Sequence, residues 1–293
     1  MLFRSPSTRL AYAAWVAVCL LWGTTYLAIR LALDTVPPML LGGFRWIADG
    51  GALVAALKLG GHQLPRPREW PMLALLGVLL IGLGNGGVTW AEQTLPSGLT
   101  AMLVAVTPFW MVAMEYAFGD APPLSRRLLA GLGTGFAGIV LLVWPELALG
   151  PGPAHWMGIA ATQVACLGWA IGSSYSRRRR HSENVLVTAA VQMLFGGLAM
   201  LAVGLVNGEW AHLSFTMRSG SALGYLIVFG SLGGFSAYAF ALKHLPLATV
   251  SLYAYVNPVI AMVLGALVLG EPLGVRLALS CGVVLAGMAM VRE

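Results

Sequence analysis

Residues 11–33 read AYAAWVAVCLLWGTTYLAIRLAL, an apolar run with a single charged residue, Arg30. A helix of about 20 apolar residues crosses the ~30 Å hydrocarbon core of a bilayer, so this stretch predicts a transmembrane helix. It is longer than the apolar core of a signal peptide, and no small-residue cleavage site follows it. We therefore expect it to stay in the protein as a membrane span.

The same pattern recurs through the 293 residues, which are 58% hydrophobic and 10% charged, with a mean hydropathy of +0.81. A soluble domain carries roughly 25% charged residues to cover its surface. Apolar runs predict ten spans, near Ala11–Leu33, Pro38–Leu59, Trp70–Ala91, Ser97–Phe118, Arg127–Val143, His155–Tyr175, Asn184–Val206, Gly220–Leu242, Ala248–Leu269 and Gly274–Val291. The prediction is an all-α membrane protein of ten transmembrane helices.

The distribution of basic residues predicts the orientation. With ten spans both termini lie on one side, and 13 of the 17 Lys and Arg residues fall on that side: Arg4, Arg9, Lys58, Arg66, Arg68, Arg126, Arg127, Arg177, Arg178, Arg179, Arg180, Lys243 and Arg292. Only Arg218 and Arg276 fall in loops of the opposite side. Since basic loops stay in the cytoplasm, we predict that both termini are cytoplasmic.

Four short sequence motifs of the first half recur in the second half, which indicates an internal duplication. Leu95-Pro96 recurs as Leu245-Pro246, Thr107-Pro108 as Asn257-Pro258, Gly119-Asp120 as Gly270-Glu271, and Trp22 as Trp169, at offsets of 147 to 151 residues. Five spans per half is an odd number, so the second half enters the membrane from the opposite side. We predict two inverted five-helix repeats, 11–143 and 155–291, an arrangement typical of secondary transporters.

These residues also carry a family resemblance that covers essentially the whole chain. The matching features are Leu21-Trp22-Gly23-Thr24, Phe44-Arg45-Trp46, the spans with Pro108 and Pro258, and Gly270-Glu271 before a glycine-rich last helix. Because these motifs occur in this order, the sequence resembles a ten-helix, EamA-domain member of the drug/metabolite transporter superfamily. Within that superfamily it resembles the bacterial exporters of amino acids, including aromatic ones. It departs from the family at Asp120, where glutamate is more common.

The resemblance implies a secondary transporter that exports amino acids or similar small amphipathic metabolites across the bacterial inner membrane by alternating access. The alternative is uptake or exchange of another metabolite, such as a sugar, a nucleotide derivative or a drug. The expected partners are a small-molecule substrate and the lipid bilayer, with no nucleic acid, and we expect a monomer that needs no cofactor or metal. An enzyme is disfavoured because all five histidines fall in loops or at span ends and no cluster of catalytic groups lies within the membrane. A receptor or scaffold stays open as another class.

Polar and aromatic residues near mid-membrane are the candidate substrate site. Tryptophan and tyrosine at span ends belong to interfacial belts, whereas those at mid-depth suit an apolar cavity with a few polar groups. The candidates are Trp22, Tyr26, Asn85, Thr89, Trp110, Gln163, Trp169, Ser173, Phe235, Tyr238, Tyr255 and Asn257. Packing alone is the competing interpretation for each of them.

Two charged pairs are spaced i, i+4 on predicted helices, which places each pair on one helix face. Arg45 and Asp49 lie deep in the second span, either as a structural ion pair or as groups that couple transport or contact substrate. Arg30 and Asp34 are expected to pair near the interface. With Asp49 as the only deep acid and Arg45 as its partner, the sequence favours transport without an obligatory proton or sodium ion.

Overall fold

A computed structural model describes residues 6–118, 125–149, 152–178, 185–245, 250, 253–271 and 274–292, in which the long elements are helices. They are α1 Pro6–Gly23, α2 Thr25–Ala32, α3 Pro38–Leu59, α4 Trp70–Gly77, α5 Gly86–Ala91, α6 Ser97–Val104, α7 Thr107–Ala117, α8 Arg126–Leu149, α9 Pro153–Arg178, α10 Val185–Val206, α11 Met217–Tyr225, α12 Gly234–His244, α13 Tyr253–Leu269 and α14 Val275–Arg292. The all-α class is confirmed. Asp120 and Arg179–Arg180 lie outside the described residues.

Six helical stretches are long and apolar enough to cross a bilayer, among the residues that the structure describes. They are Arg9–Ala32, Pro38–Leu59, Pro67–Ala91, Ser97–Ala117, Leu186–Val206 and Met217–Tyr238, and two shorter apolar helices are Val256–Leu269 and Val275–Gly287. The protein is therefore a multi-pass membrane protein, and the total of ten spans remains a prediction.

Two of the predicted spans contain a break in the helix. The first breaks at Thr24, whose hydroxyl donates to the carbonyls of Leu20 and Leu21 at 2.9 Å and lies 2.6 Å from the Tyr225 hydroxyl. Such back-bonding by threonine bends helices. The other breaks after Val104, and Pro108 occupies the first turn of α7, where a missing N–H is tolerated. Pro108 therefore starts a helical segment, whereas Pro258 lies inside the continuous α13.

Two segments of π-helix, Val78–Asn85 and Leu226–Gly233, begin 148 residues apart. The first joins α4 to α5 and the second joins α11 to α12, so each lies in the middle of a long apolar helix. π-helical turns leave the i→i−4 hydrogen-bond pattern and often occur at functional sites. They lie at related places in the two halves of the sequence, which agrees with the duplication.

Helix packing follows the same relation between the halves. α1 packs on α12 and α13, and α9 packs in the corresponding way on the first π-segment and on α7. α3 lies along α10, and α8 lies along α14. Glycines permit these close approaches: a Cβ atom at Gly287 would lie 2.3 Å from the backbone nitrogen of Gly135.

Three polar contacts join the halves at the distal end, which we define as the helix ends opposite residue 6. Glu271, placed after Gly270 with its positive φ of 66°, accepts hydrogen bonds from the first residues of α6. Glu209 likewise accepts bonds from the first turn of α3. Asp34 forms an ion pair with Arg218, with 3.4 Å between Oδ2 and Nε. The predicted pairing of Asp34 with Arg30 is therefore wrong, because a partner on another element takes the carboxylate.

Candidate substrate site

Four aromatic rings meet where α1 packs on α12 and α13. Trp22 stacks on Tyr238 at a centroid distance of 5.3 Å and contacts Phe235 and Tyr253 edge-on at 5.5 and 4.8 Å. The indole N–H of Trp22 donates to the carbonyl of Gly230, in the second π-segment, at 3.1 Å. We call Trp22, Phe235, Tyr238 and Tyr253 the aromatic cluster. Three of its members are predicted site residues, and helices from both halves build it.

Asn257 ties the α13 side of this cluster to α1. With its amide nitrogen facing the two carbonyls, Asn257 donates to Tyr253 O at 3.0 Å and to Cys19 O at 3.2 Å. The side chain is buried, with 8% exposure. Its two donors are thus bonded to the protein itself, which makes Asn257 a positioning residue for the cluster.

A second polar contact lies between α7 and α9. The indole N–H of Trp110 donates to Gln163 Oε1 at 3.1 Å, and both side chains are half-buried. On the same face of α9, the thiol of Cys166 contacts the carbonyl of Leu103 at 3.8 Å. The structure therefore brings the predicted residues Trp110 and Gln163 together, at a place related by the duplication to the aromatic cluster.

Tyr26 interacts electrostatically with members of both groups. Its phenol is within electrostatic range of Tyr253 on α13, Cys166 on α9 and Glu92 at the end of α5. The side chain is half-buried, and the groups in its range lie on helices of both halves.

The remaining predicted residues have more local environments. Asn85 donates to Leu80 O at 3.3 Å within the first π-segment, and Thr89 donates to Asn85 O at 2.9 Å. Trp169 packs beside Gly84, where an added Cβ would lie 3.2 Å from the indole ring. Ser173 is half-buried on α9, and the side chain of Tyr255 lies outside the described part of the structure.

Arg45 and Asp49 are both buried, with 6% and 0% exposure, but their contact is long. Arg45 Nε lies 4.0 Å from Asp49 Oδ2 and donates to Ser231 Oγ at 2.9 Å, while the guanidinium lies over the Trp46 ring at 4.5 Å. Ser231 also lies close enough to Asp49 to interact with it, yet no donor of the described residues meets either Asp49 oxygen at hydrogen-bond geometry. The predicted pair exists, and Ser231 of the second π-segment is its third member.

Glu92 is the acidic residue that the sequence interpretation missed. It has no exposed surface, and its backbone carbonyl accepts a hydrogen bond from Arg30 Nη1. Asn85, Thr89 and Glu92 fall on one helical face at i, i+4 and i+7, which is the signal that could have extended the site to Glu92. Asp49 is therefore one of two fully buried acids among the described residues, and Glu92 is the other.

Comparison with known proteins places the chain in a family. The sequence profile of the EamA-like transporter family matches residues 9–144 and matches again at residues 156–292. The chain belongs to the EamA-like transporter family. The two matches coincide with the two halves that the repeated sequence motifs indicate.

Similar proteins of known name are membrane transporters, and the similarity extends over nearly the whole chain. The inner membrane transporter YedA of Escherichia coli is 34% identical over 283 residues, which cover 96% of this chain and 90% of YedA. The transporter YvbV of Bacillus subtilis is 24% identical over 93% of this chain and 88% of its own length. A solved crystal structure with 22% identity covers 98% of this chain and 97% of its own, with a TM-score of 0.65, and supports the fold.

Proposed function

We propose that this protein exports amino acids or similar small amphipathic metabolites across the bacterial inner membrane by alternating access. The observation that supports this best is the aromatic cluster, in which a helix of the first half meets two helices of the second half. A substrate held there contacts both halves, so movement of one half against the other exposes it to one side or the other.

The side chains of the candidate site suit a small molecule with an apolar body. The four rings offer apolar faces, and Gln163, Tyr26 and the two tyrosines of the cluster add a small number of polar groups. Aromatic walls with few polar groups are the usual lining of sites for such ligands. An amino acid with an uncharged side chain fits this chemistry.

A nucleotide or another phosphorylated substrate fits less well. Phosphate recognition uses arginine side chains that present free N–H groups to the ligand. Arg45, which lies over Trp46 beside Phe235 of the cluster, is buried and donates to Ser231. Amino acid export is therefore preferred over transport of a nucleotide derivative.

The proposal includes the arrangement in the membrane. Two inverted repeats, 11–143 and 155–291, would be related by a pseudo-two-fold axis in the membrane plane, with both termini cytoplasmic and the monomer as the working unit. The related positions of the π-segments, α1 with α9, and the two profile matches support this arrangement. Superposing the halves with reversed membrane direction should align α1–α2 on α9.

A flux screen tests the proposal. Purified protein in proteoliposomes should exchange one or more labelled amino acids faster than empty liposomes, and Trp22→Ala should reduce that flux. Trp144→Ala is the matched control, because Trp144 is 63% exposed at the end of α8 and should leave the flux unchanged. No flux above empty liposomes for any of the amino acids, or equal effects of the two variants, would reject the assignment.

A further inference from the structure

Glu92 is a fully buried acid whose carboxyl group accepts no hydrogen bond from the described residues. Both carboxyl oxygens are inaccessible, and no donor of the described residues forms a hydrogen bond to either of them. The residue directly follows α5 at the distal end. Its position therefore differs from those of Glu209 and Glu271, whose carboxylates accept backbone hydrogen bonds at that end.

Charged and titratable groups surround Glu92 on several elements. Arg30 at the end of α2, Arg45 on α3 and Glu271 after α13 lie within electrostatic range of Glu92, and so does Tyr26 on α2. Arg30 is the nearest cation, but its guanidinium donates to the backbone carbonyl of Glu92. Within the described residues no ion pair forms between the two side chains.

An ionised carboxylate in this position would be unfavourable. Removing a charge from water is costly unless hydrogen bonds or a close counter-ion replace the water. Glu271 is a like charge that disfavours ionisation further, and the two arginines, which favour it, lie beyond contact distance of the carboxyl oxygens. A neutral carboxylic acid is the form that this environment tolerates.

We propose that Glu92 is the proton-binding site of the transporter. It carries a proton while the distal end is closed as described here. When that end opens, the carboxyl group exchanges its proton with water, and Arg30 is the counter-ion of the carboxylate form. Substrate movement is then coupled to protons, in place of the uncoupled transport that the sequence favours. The coupling part rests on the transport function proposed above, whereas the proton site itself does not.

The location of Glu92 makes this coupling physically direct. Glu92 interacts with Tyr26, and Tyr26 interacts with Tyr253 of the aromatic cluster. Glu92 and the aromatic cluster therefore both lie within electrostatic range of Tyr26. Arg30 and Glu92 both lie in the first half and stay together when the halves move, whereas Glu271 lies in the second half and moves away from Glu92.

The first test needs no substrate, since the probe is the proton. Infrared difference spectra of the protein in lipid, wild type minus Glu92→Gln, should contain the band of a protonated carboxyl group near neutral pH. The control Asp34→Asn removes an exposed acid at the same end and should remove a carboxylate band instead. A carboxylate band in the Glu92 difference spectrum would overturn the proposal.

Spectra of Asp49→Asn keep the test decisive should Glu92→Gln not fold. Asp49 and Glu92 are the fully buried acids of the described residues, so in that variant Glu92 is the remaining buried acid of this part of the chain. Persistence of the band supports the site, and its absence overturns it.

The second test measures coupling with labelled phenylalanine in proteoliposomes. A pH gradient should drive phenylalanine flux in wild type and in Asp34→Asn but not in Glu92→Gln, whereas exchange without a gradient should persist in all three. Gradient-driven flux in Glu92→Gln would overturn the coupling. Failure of wild type to move any amino acid would count against the proposed substrate class, and the infrared result would still decide the proton site.

Discussion

Glu271→Ala should reduce the free energy of unfolding by about 2–3 kcal/mol, because it removes a carboxylate that caps α6 from the other half of the protein. Ser97 N donates to Oε1 at 2.8 Å, and Ser97 Oγ and Gly98 N donate to Oε2 at 2.8 and 3.2 Å. A hydrogen bond to a charged group contributes about 1.5–3 kcal/mol, and loss of an N-cap costs about 0.5–2 kcal/mol. The three bonds share one carboxylate and do not add fully.

Unfolding by sodium dodecyl sulfate in mixed micelles, followed by tryptophan fluorescence, measures this difference. Glu271→Gln keeps the size of the side chain and one acceptor oxygen, so its free energy of unfolding should fall by only about 1 kcal/mol relative to wild type. Glu209→Ala is the comparator: Glu209 accepts two bonds, from Met39 N and Leu40 N, both at 3.0 Å. Burial raises the pKa of Glu209 while these two amides lower it, so part of their stabilisation of the carboxylate is offset by its desolvation. We therefore expect Glu209→Ala to lose less free energy of unfolding than Glu271→Ala.

Gly265→Ala tests the same contact from the other side. A Cβ atom at Gly265 would lie 2.3 Å from Glu271 Oε2, so the added methyl group should displace the carboxylate. The substitution should destabilise the wild type but have little further effect in Glu271→Ala, since groups in contact are not independent. A Glu271→Ala protein within about 0.5 kcal/mol of wild type, the usual range for surface changes, would refute the capping argument.

Three further predictions concern charge, specificity and topology. The double variant Arg45→Met/Asp49→Asn should unfold at a higher detergent concentration than either single variant, because a single unpaired buried charge is the most unfavourable state. If the double variant is no more stable than the single variants, the two residues are not coupled. Trp169→Ala should slow transport of bulky amino acids more than small ones, and an equal decrease in parallel flux assays would make Trp169 a packing residue. Cysteines introduced at positions 177–180 should react with an impermeant maleimide only from the cytoplasmic side, over a low background because the three native cysteines are buried. Labelling from outside would overturn the topology.

The helices of the fold were predictable because their limits are set by simple chemistry. α3 begins at Pro38 and ends at Leu59 as the sequence predicts, since proline favours a first helical turn and a glycine pair follows the last apolar residue. The break at Thr24 and both π-segments were not predicted. Hydropathy reports whether a residue prefers lipid, and it contains no information on which carbonyl each amide meets.

The candidate site was predictable in part, for a related reason. Depth in the membrane identified Trp22 and Tyr238, because a tryptophan or tyrosine away from the interface needs a partner inside the protein. Pairing between helices was not predictable: Arg30 meets Glu92, 62 residues away, rather than Asp34 one turn away. Glu92 lies at the end of a predicted span, where contact with water was the natural assumption, and only the packing of other helices removes it from water.

The two halves share a plan but differ in chemistry where they meet. Trp22 donates to Gly230 of the second π-segment and lies against three rings, whereas Trp169, its counterpart, packs beside Gly84 near the first π-segment. The first half carries the buried Arg45 and Asp49, and the residue related to Arg45 by the same offset is the neutral Gln192. If the proposed function holds, the rings of the aromatic cluster cover the apolar body of the substrate, and Gln163 and the tyrosine hydroxyls meet its polar head. Such a site would hold a molecule in one orientation and would suit a symmetric or wholly apolar molecule less well.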